Sequence, residues 1–218
     1  MRRIGLFGGS FDPPHRAHVA LAHAALDALA LEAVWWVVTG QPWQKARTVT
    51  AGEHRAAMVE LAIAGEPRFR LERFELDRAG PSYTIDTVAA LSAREATREA
   101  TREPTGGRPE WVLLIGHDQY LNLHTWRGWR ELLAEVTLAV ANRPAVHGGP
   151  APEVAALPHR VVPLPMMDIS ATEVRARVAA GRDISALVPA EVAGYIARHG
   201  LYLPPTPAAL TGAADPRS

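Results

Sequence analysis

Short apolar runs recur along this chain, at residues 4–7, 34–38, 111–115 and 136–140, each ending at a glycine or a polar turn. They are continuous rather than alternating, which is the pattern of strands buried on both faces. Between them lie stretches with helical spacing, at residues 15–29, 53–64 and 84–93, and residues 69–76 alternate as a half-exposed strand does. Strands that alternate with helices predict an α/β fold: a parallel sheet covered by helices on both faces and wound by right-handed crossovers. In such a sheet ligands bind at the carboxyl ends of the strands, so the turns that follow these runs carry the functional expectation.

Composition narrows the chemistry. A chain of 218 residues suits one domain, which buries roughly 70% of its unfolded surface and needs no metal or disulfide to hold it. There is no cysteine, which excludes a thiolate nucleophile, a disulfide framework and a thiolate zinc site, and suits a reducing compartment. The 23 basic and 23 acidic side chains cancel, so no wide basic surface for a nucleic acid is expected. No apolar run approaches the ~18 residues of a membrane span, and residues 4–7 are too short for a signal-peptide core. A soluble, cytoplasmic protein without a membrane partner is expected.

Two segments depart from the pattern. Ala-Thr-Arg-Glu occurs twice over residues 96–103 and leads into Pro104-Thr105-Gly106-Gly107; its charges cancel, and it reads as a solvated helical extension or a mobile surface insertion over 96–107. Residues 204–218 hold four prolines and few large apolar side chains and read as a disordered tail, which leaves one domain over 1–203.

The turn after the first run reads Gly8-Gly9-Ser10-Phe11-Asp12-Pro13-Pro14-His15-Arg16-Ala17-His18. Glycines between a strand and a helix let backbone N–H groups approach a phosphate, where the helix dipole adds favourable charge. His15 and His18, three apart, face the same side, where two imidazoles can stabilise the charge of a departing pyrophosphate. Surface residues or a pair of metal ligands are the competing readings, but no third ligand follows at a customary spacing. Neither Gly-x-x-x-x-Gly-Lys-Ser/Thr nor Gly-x-Gly-x-x-Gly is present.

This turn resembles the signature of the nucleotidylyltransferase superfamily, a Rossmann-like doubly wound fold with a small C-terminal helical part, whose His-x-x-His pair follows the first strand. Its fuller form is similar to the bacterial nicotinate-nucleotide adenylyltransferases, which join nicotinate mononucleotide to the AMP part of ATP. Ala17 departs from the glycine usual between the two histidines.

Near the other end, Asp168-Ile169-Ser170-Ala171-Thr172-Glu173-Val174-Arg175 opens a helix in which Ser170 and Glu173 have capping-box spacing. It reads equally as a capped helix or as a second anion site. It resembles the superfamily's Ile-Ser-x-Thr-x-x-Arg motif, which implies that Ile169, Ser170, Thr172 and Arg175 border the ATP phosphates together with Gly8, Gly9, Ser10, Phe11, His15 and His18. Arg177 has no match and reads as a surface charge.

The middle of the chain carries the second substrate. Pro42-Trp43-Gln44-Lys45 is similar to a family Pro-Pro-His-Lys that retains only its ends, implying that Lys45 reaches phosphate. Gly80-Pro81-Ser82-Tyr83-Thr84-Ile85-Asp86-Thr87 reads as a turn and helix start with Thr84 as the cap. It resembles the family's Ser-Tyr-Thr-x-x-Thr segment, which holds the mononucleotide. Gly116 and Asp118 look like a family Gly-x-Asp at the nucleotide sugars, with His117 unexplained between them. Trp129 reads as core, whereas Trp126 matches the aromatic residue that stacks on the pyridine ring, beside Arg127. Asn142 and Arg143 are similar to a family pair bordering ATP. On this resemblance Ser10, Lys45, Tyr83, Thr84, Asp118, Trp126 and Arg127 face nicotinate mononucleotide, and His15, His18, Lys45 and Arg175 carry catalysis. Mg²⁺ arrives with ATP and needs no protein ligand. An adenylyltransferase with another acceptor, nicotinamide mononucleotide or phosphopantetheine, and a non-catalytic nucleotide-binding regulator are the alternatives; the sequence is silent on oligomeric state.

Overall fold

The apolar runs become the centre of one six-stranded sheet of order β3-β2-β1-β4-β5-β6. Its strands are β1 (Arg3–Gly9), β2 (Ala33–Val38), β3 (Phe69–Glu72), β4 (Glu110–Ile115), β5 (Thr137–Ala141) and β6 (Arg160–Val162), and every neighbouring pair is parallel. The structure, a computed structural model, describes residues 2–40, 49–101, 107–141, 149–163 and 167–204. Strand order reverses at β1, which pairs with β2 on one side and β4 on the other.

Alternate residues of the central strands feed two different cores, which is why those runs hold no polar positions. Phe7, Trp36 and Leu114 face a cluster closed by α1 (Arg16–Ala28) and α2 (Gly52–Ile63), through Leu21, Leu26, Val59 and Ile63. Leu6, Trp35 and Leu113 face the opposite cluster, closed by α3 (Thr84–Thr101) and α5 (Trp129–Glu135) through Val88, Leu91, Trp129 and Leu132. Between β4 and α5 runs α4 (His117–Leu121) with a short 3-10 turn, and α6 (Pro152–Ala155) precedes β6. A third cluster joins Ala17 and Met58 to Val174 of α7 (Ala171–Ala179) and to Val192 and Ile196 of α8 (Ala190–Arg198). It fastens the C-terminal helices beside the first helix.

Two elements, β3 and α3, differ from the expected bounds. β3 stops at Glu72 rather than running to 76, because Arg73 O accepts the amides of Leu76 and Asp77 at 2.8 and 3.0 Å and closes a turn. Helix α3 continues to Thr101, so residues 96–101 of the repeat form a solvated helical extension, in which Thr97 and Thr101 return their hydroxyls to the carbonyls of Ala93 and Thr97. The helix starts at Thr84, and Tyr83, whose carbonyl accepts the first amide bonds from Asp86 and Thr87, takes the cap position expected of Thr84. Residues 102–106 and the tail from 205 lie outside the described residues.

One buried cation ties the loops at the carboxyl edge. Arg55 of α2, 2% exposed, donates to Thr50 O at 2.7 Å, Ser10 O at 2.9 Å, Thr39 O at 2.8 Å and Gly40 O at 3.2 Å. Carbonyl oxygens from three chain segments thus receive their donors from one rigid guanidinium fork. Arg55→Leu leaves those buried acceptors without it and is expected to lower unfolding free energy by about 3 kcal/mol or more, read by urea titration. A loss under about 1 kcal/mol would mean that water replaces the guanidinium.

Candidate active site

Where strand order reverses, the turns after β1 and β4 diverge, and a cavity of about 420 Å³ opens between them. That is the size and place expected of a small-molecule site in a doubly wound sheet.

One wall is the first turn. Gly8, Gly9, Ser10, Phe11, His15 and His18 all line the cavity. A Cβ on Gly8 would meet nothing within 4 Å, whereas one on Gly9 would lie 3.0 Å from the Phe11 ring. Only Gly8 therefore leaves its backbone open on this criterion; Gly9 is small because Phe11 crosses it. Phe11 is 2% exposed, has φ of 45° and packs edge-on against Phe7 and His18 at 5.4 and 5.1 Å between ring centroids. A left-handed backbone at a bulky residue is held by such packing rather than by preference.

His15 and His18 stack with ring centroids 3.6 Å apart and an interplanar angle of 17°. The His15 amide donates to His18 Nδ1 at 3.2 Å. An accepting Nδ1 puts the proton of the neutral His18 ring on Nε2, so that nitrogen is the donor available to a ligand. Ala17, where the sequence departs from glycine, is buried in the third cluster, which accommodates its methyl group.

Asp12 fixes this turn from behind. It is 1% exposed; its carboxylate accepts the Tyr202 hydroxyl at 2.8 Å and the Thr50 amide at 3.4 Å, and its carbonyl accepts Arg175 Nη1 at 2.7 Å. Burial, then the neighbouring Asp12 charge, pushes the Tyr202 pKa upward, so Tyr202 remains a donor across the working pH range.

Ile169 and Ser170 reach the same cavity from the start of α7. Ser170 Oγ accepts the Glu173 amide at 3.1 Å. The Glu173 carboxylate binds Arg177 at 2.8 Å instead of returning to the Ser170 amide, so half of the capping box forms and Arg177 is a paired surface cation. Thr172 and Arg175 are not on the cavity wall: Arg175 Nη2 donates to Thr172 Oγ1 at 3.1 Å while Nη1 holds Asp12.

The facing wall brings together Tyr83 and Thr84 before and at the start of α3, Gly116 and Asp118 after β4, and Trp126 with Arg127 before α5. Arg127 lies over the Tyr83 ring at 4.7 Å and within 3.9 Å of Asp86. Trp126 is half-buried against the second core, and its buried Nε1 has no hydrogen-bond partner among the described residues. His117 also lines the cavity, and its buried Nε2 likewise has none among them. Trp129 packs into the core as expected. Lys45, Asn142 and Arg143 lie outside the described residues.

Comparison with known proteins places this geometry. Residues 6–177 match the family model of the cytidylyltransferase-like proteins. The protein named "Probable nicotinate-nucleotide adenylyltransferase" in Methylibium petroleiphilum is 48% identical over 94% of each chain, and its namesake in Thermus thermophilus is 43% identical over 92% of this chain and 99% of its own. The chain belongs to the cytidylyltransferase-like family, in its nicotinate-nucleotide adenylyltransferase branch. Two structures of the Plasmodium falciparum nicotinic acid mononucleotide adenylyltransferase, complexed with NaAD and with APC, share its fold with TM-scores of 0.72 and 0.68 at 19% and 18% identity. Each aligns over 93% of this chain and 98% of its own.

Glu75, Ser82 and Thr87 also line the cavity of this cytidylyltransferase-like chain; Ser82 and Thr87 belong to the segment that resembles the family's mononucleotide segment, whereas sequence reasoning assigned Glu75 no role. Asp12 stood inside a recognised motif, which was a usable signal; Glu75 and Tyr202 had no comparable one. The two glycines of the first turn give a direct check on the packing described above. Gly9→Ala must displace the Phe11 ring and is expected to cost about 1–3 kcal/mol, a fall in Tm of several degrees by calorimetry. Gly8→Ala, with open space around it, is expected to leave Tm within about one degree; equal losses in both variants would refute the assigned difference.

Proposed function

We propose that the protein transfers the AMP part of ATP to nicotinate mononucleotide, forming nicotinate adenine dinucleotide and pyrophosphate, a step of NAD biosynthesis. The observation that carries this reading is one cavity, at the point where strand order reverses, with a histidine pair on one wall and Tyr83 and Trp126 on the other. The relatives' names supply the chemistry, and the two walls suit two substrates.

The reaction needs no protein nucleophile. A phosphate oxygen of the mononucleotide attacks the α-phosphorus of ATP, the new P–O bond forms as the bond to the β-phosphate oxygen breaks, and pyrophosphate leaves with the electron pair. Catalysis is positioning and charge stabilisation. His15 and His18 face the phosphates, with His18 Nε2 as donor; the start of the first helix and the Gly8 backbone add oriented dipoles. Ser170 borders the triphosphate from α7, and Asp118 accepts ribose hydroxyls at the end of β4. In this reading Arg175 exchanges part of its contact with Asp12 and Thr172 for the leaving phosphates, while Lys45, Asn142 and Arg143 complete the ATP side.

The acceptor lies against the facing wall, with its pyridine ring on Trp126 and its phosphate near Ser10 and Thr84. Mg²⁺ fits as an ion carried by ATP. In this reading phosphate oxygens and water supply its ligands, as is usual for Mg²⁺ on a nucleotide. Among the described residues no helix is long and apolar enough to cross a membrane, and cytoplasmic location remains part of this proposal.

The reading is tested by pyrophosphate release from ATP and Mg²⁺ with nicotinate mononucleotide, nicotinamide mononucleotide or phosphopantetheine supplied in turn. Release chiefly with the first is expected; release with another discards the acceptor, and no release discards the enzyme. His18→Ala is expected to lower kcat by roughly 10²–10³, assayed below the variant's melting temperature because the lost ring also packs Phe11. Trp126→Ala is expected to weaken mononucleotide binding about tenfold or more by calorimetry while ATP affinity stays within about twofold. Equal weakening of both ligands would remove the stacking role.

A further inference from the structure

The catalytic scheme leaves unused a carboxylate in the cavity wall. Glu75 lies in the turn that ends β3, is 6% exposed and lines the site. A turn between Arg73 and Asp77 would ordinarily present a glutamate to water, and an inward carboxylate persists only where donors repay its lost hydration. Thr87 Oγ1 donates to its Oε1 at 2.7 Å. Burial raises its pKa above the usual carboxylate value, and Thr87, the Ser82 hydroxyl and the Gly40 amide act against that rise.

These donors come from two other chain segments. Gly40 follows β2, and its amide also donates to Ser82 Oγ at 3.2 Å. The approach is close: a Cβ on Gly40 would fall 2.0 Å from the Glu75 carbonyl oxygen, so glycine is required there. Ser82 and Thr87 stand on either side of Tyr83 and Thr84, and Thr87 Oγ1 also reaches Tyr83 O at 3.3 Å. The carboxylate therefore holds Thr87 on the far side of the short segment that carries Tyr83 and Thr84 into the cavity, and Ser82 on the near side is tied to the Gly40 amide. Arg55 also holds Gly40, through its carbonyl.

We propose that Glu75 is a positioning residue for the acceptor substrate: by holding Thr87 it fixes Tyr83 and Thr84, and so sets affinity for the mononucleotide and not for ATP. This rests on the reading that Tyr83 and Thr84 face the acceptor. The alternative is a carboxylate that serves folding alone, which would disturb both substrates together or neither.

Steady-state kinetics on the full chain separate the two, with ATP and the acceptor varied independently. The wild-type protein is first assayed with the three acceptors named above, and the one it turns over is used throughout. Activity with a different acceptor therefore overturns the nicotinate reading without touching Glu75, and activity with none overturns both. Loss of a charge-assisted hydrogen bond predicts that Glu75→Ala raises the acceptor KM about tenfold or more and moves the ATP KM less than about twofold. Glu75→Gln keeps a carbonyl oxygen for Thr87 and is expected to return the acceptor KM to within about threefold of wild type. If Glu75→Ala does not fold, Thr87→Val, which removes one bond at nearly constant shape, is expected to show the same split at about threefold or more. Parallel rises in both KM values, or an acceptor KM that does not move in the folded variants, overturn the assignment.

Discussion

Parallel pairing of β1 with both β2 and β4 is the constraint on which the rest of the molecule hangs. It brings the carboxyl ends of all six strands to one edge, and because the chain winds outward in opposite directions from β1, no crossover covers the space above that strand. Among the described residues the first turn and the turn at Gly116 are consequently adjacent and uncovered. Helices on both faces then follow from the apolar side chains that β1, β2 and β4 send each way.

An open edge needs rigid loops, and here buried ionic groups supply the rigidity. Arg55 collects carbonyls from the ends of β1 and β2, Asp12 collects a hydroxyl and an amide, and Glu75 takes the Thr87 hydroxyl. Each of the three lies at or below 6% exposure and is held by fixed polar groups of the fold. Side chains that meet ligands are thereby mounted on segments held from behind, which is what a site that works by positioning requires.

The central strands were legible in sequence because a run buried on both faces announces itself without knowledge of its neighbours. The end of β3 was not, since Phe74 and Leu76 prolong the alternation past Glu72 while the backbone has already turned. β6 was missed: its three residues are short, and Val161 is 55% exposed on it. At the site, His15, His18, Ser170 and Trp126 stood out through motifs. The spacing of Thr172 and Arg175 could not reveal that they pair with each other and with Asp12, off the cavity wall. Glu75 and Tyr202 were illegible for a topological reason: their partners stand 12 and 190 residues away, and only the folded chain makes them neighbours.

The bond from Tyr202 to Asp12 orders events in time. A polypeptide emerging from the ribosome can pair β1 with β2 and cover them with two helices while its later strands are still unmade. The loop that carries Asp12 then waits, its buried carboxylate lacking a hydroxyl and its carbonyl lacking the guanidinium of Arg175. Only when the segment just beyond α8 has cleared the exit tunnel does that loop receive its full set of donors. A chain released before residue 202 would hold all six strands with an unfinished first turn.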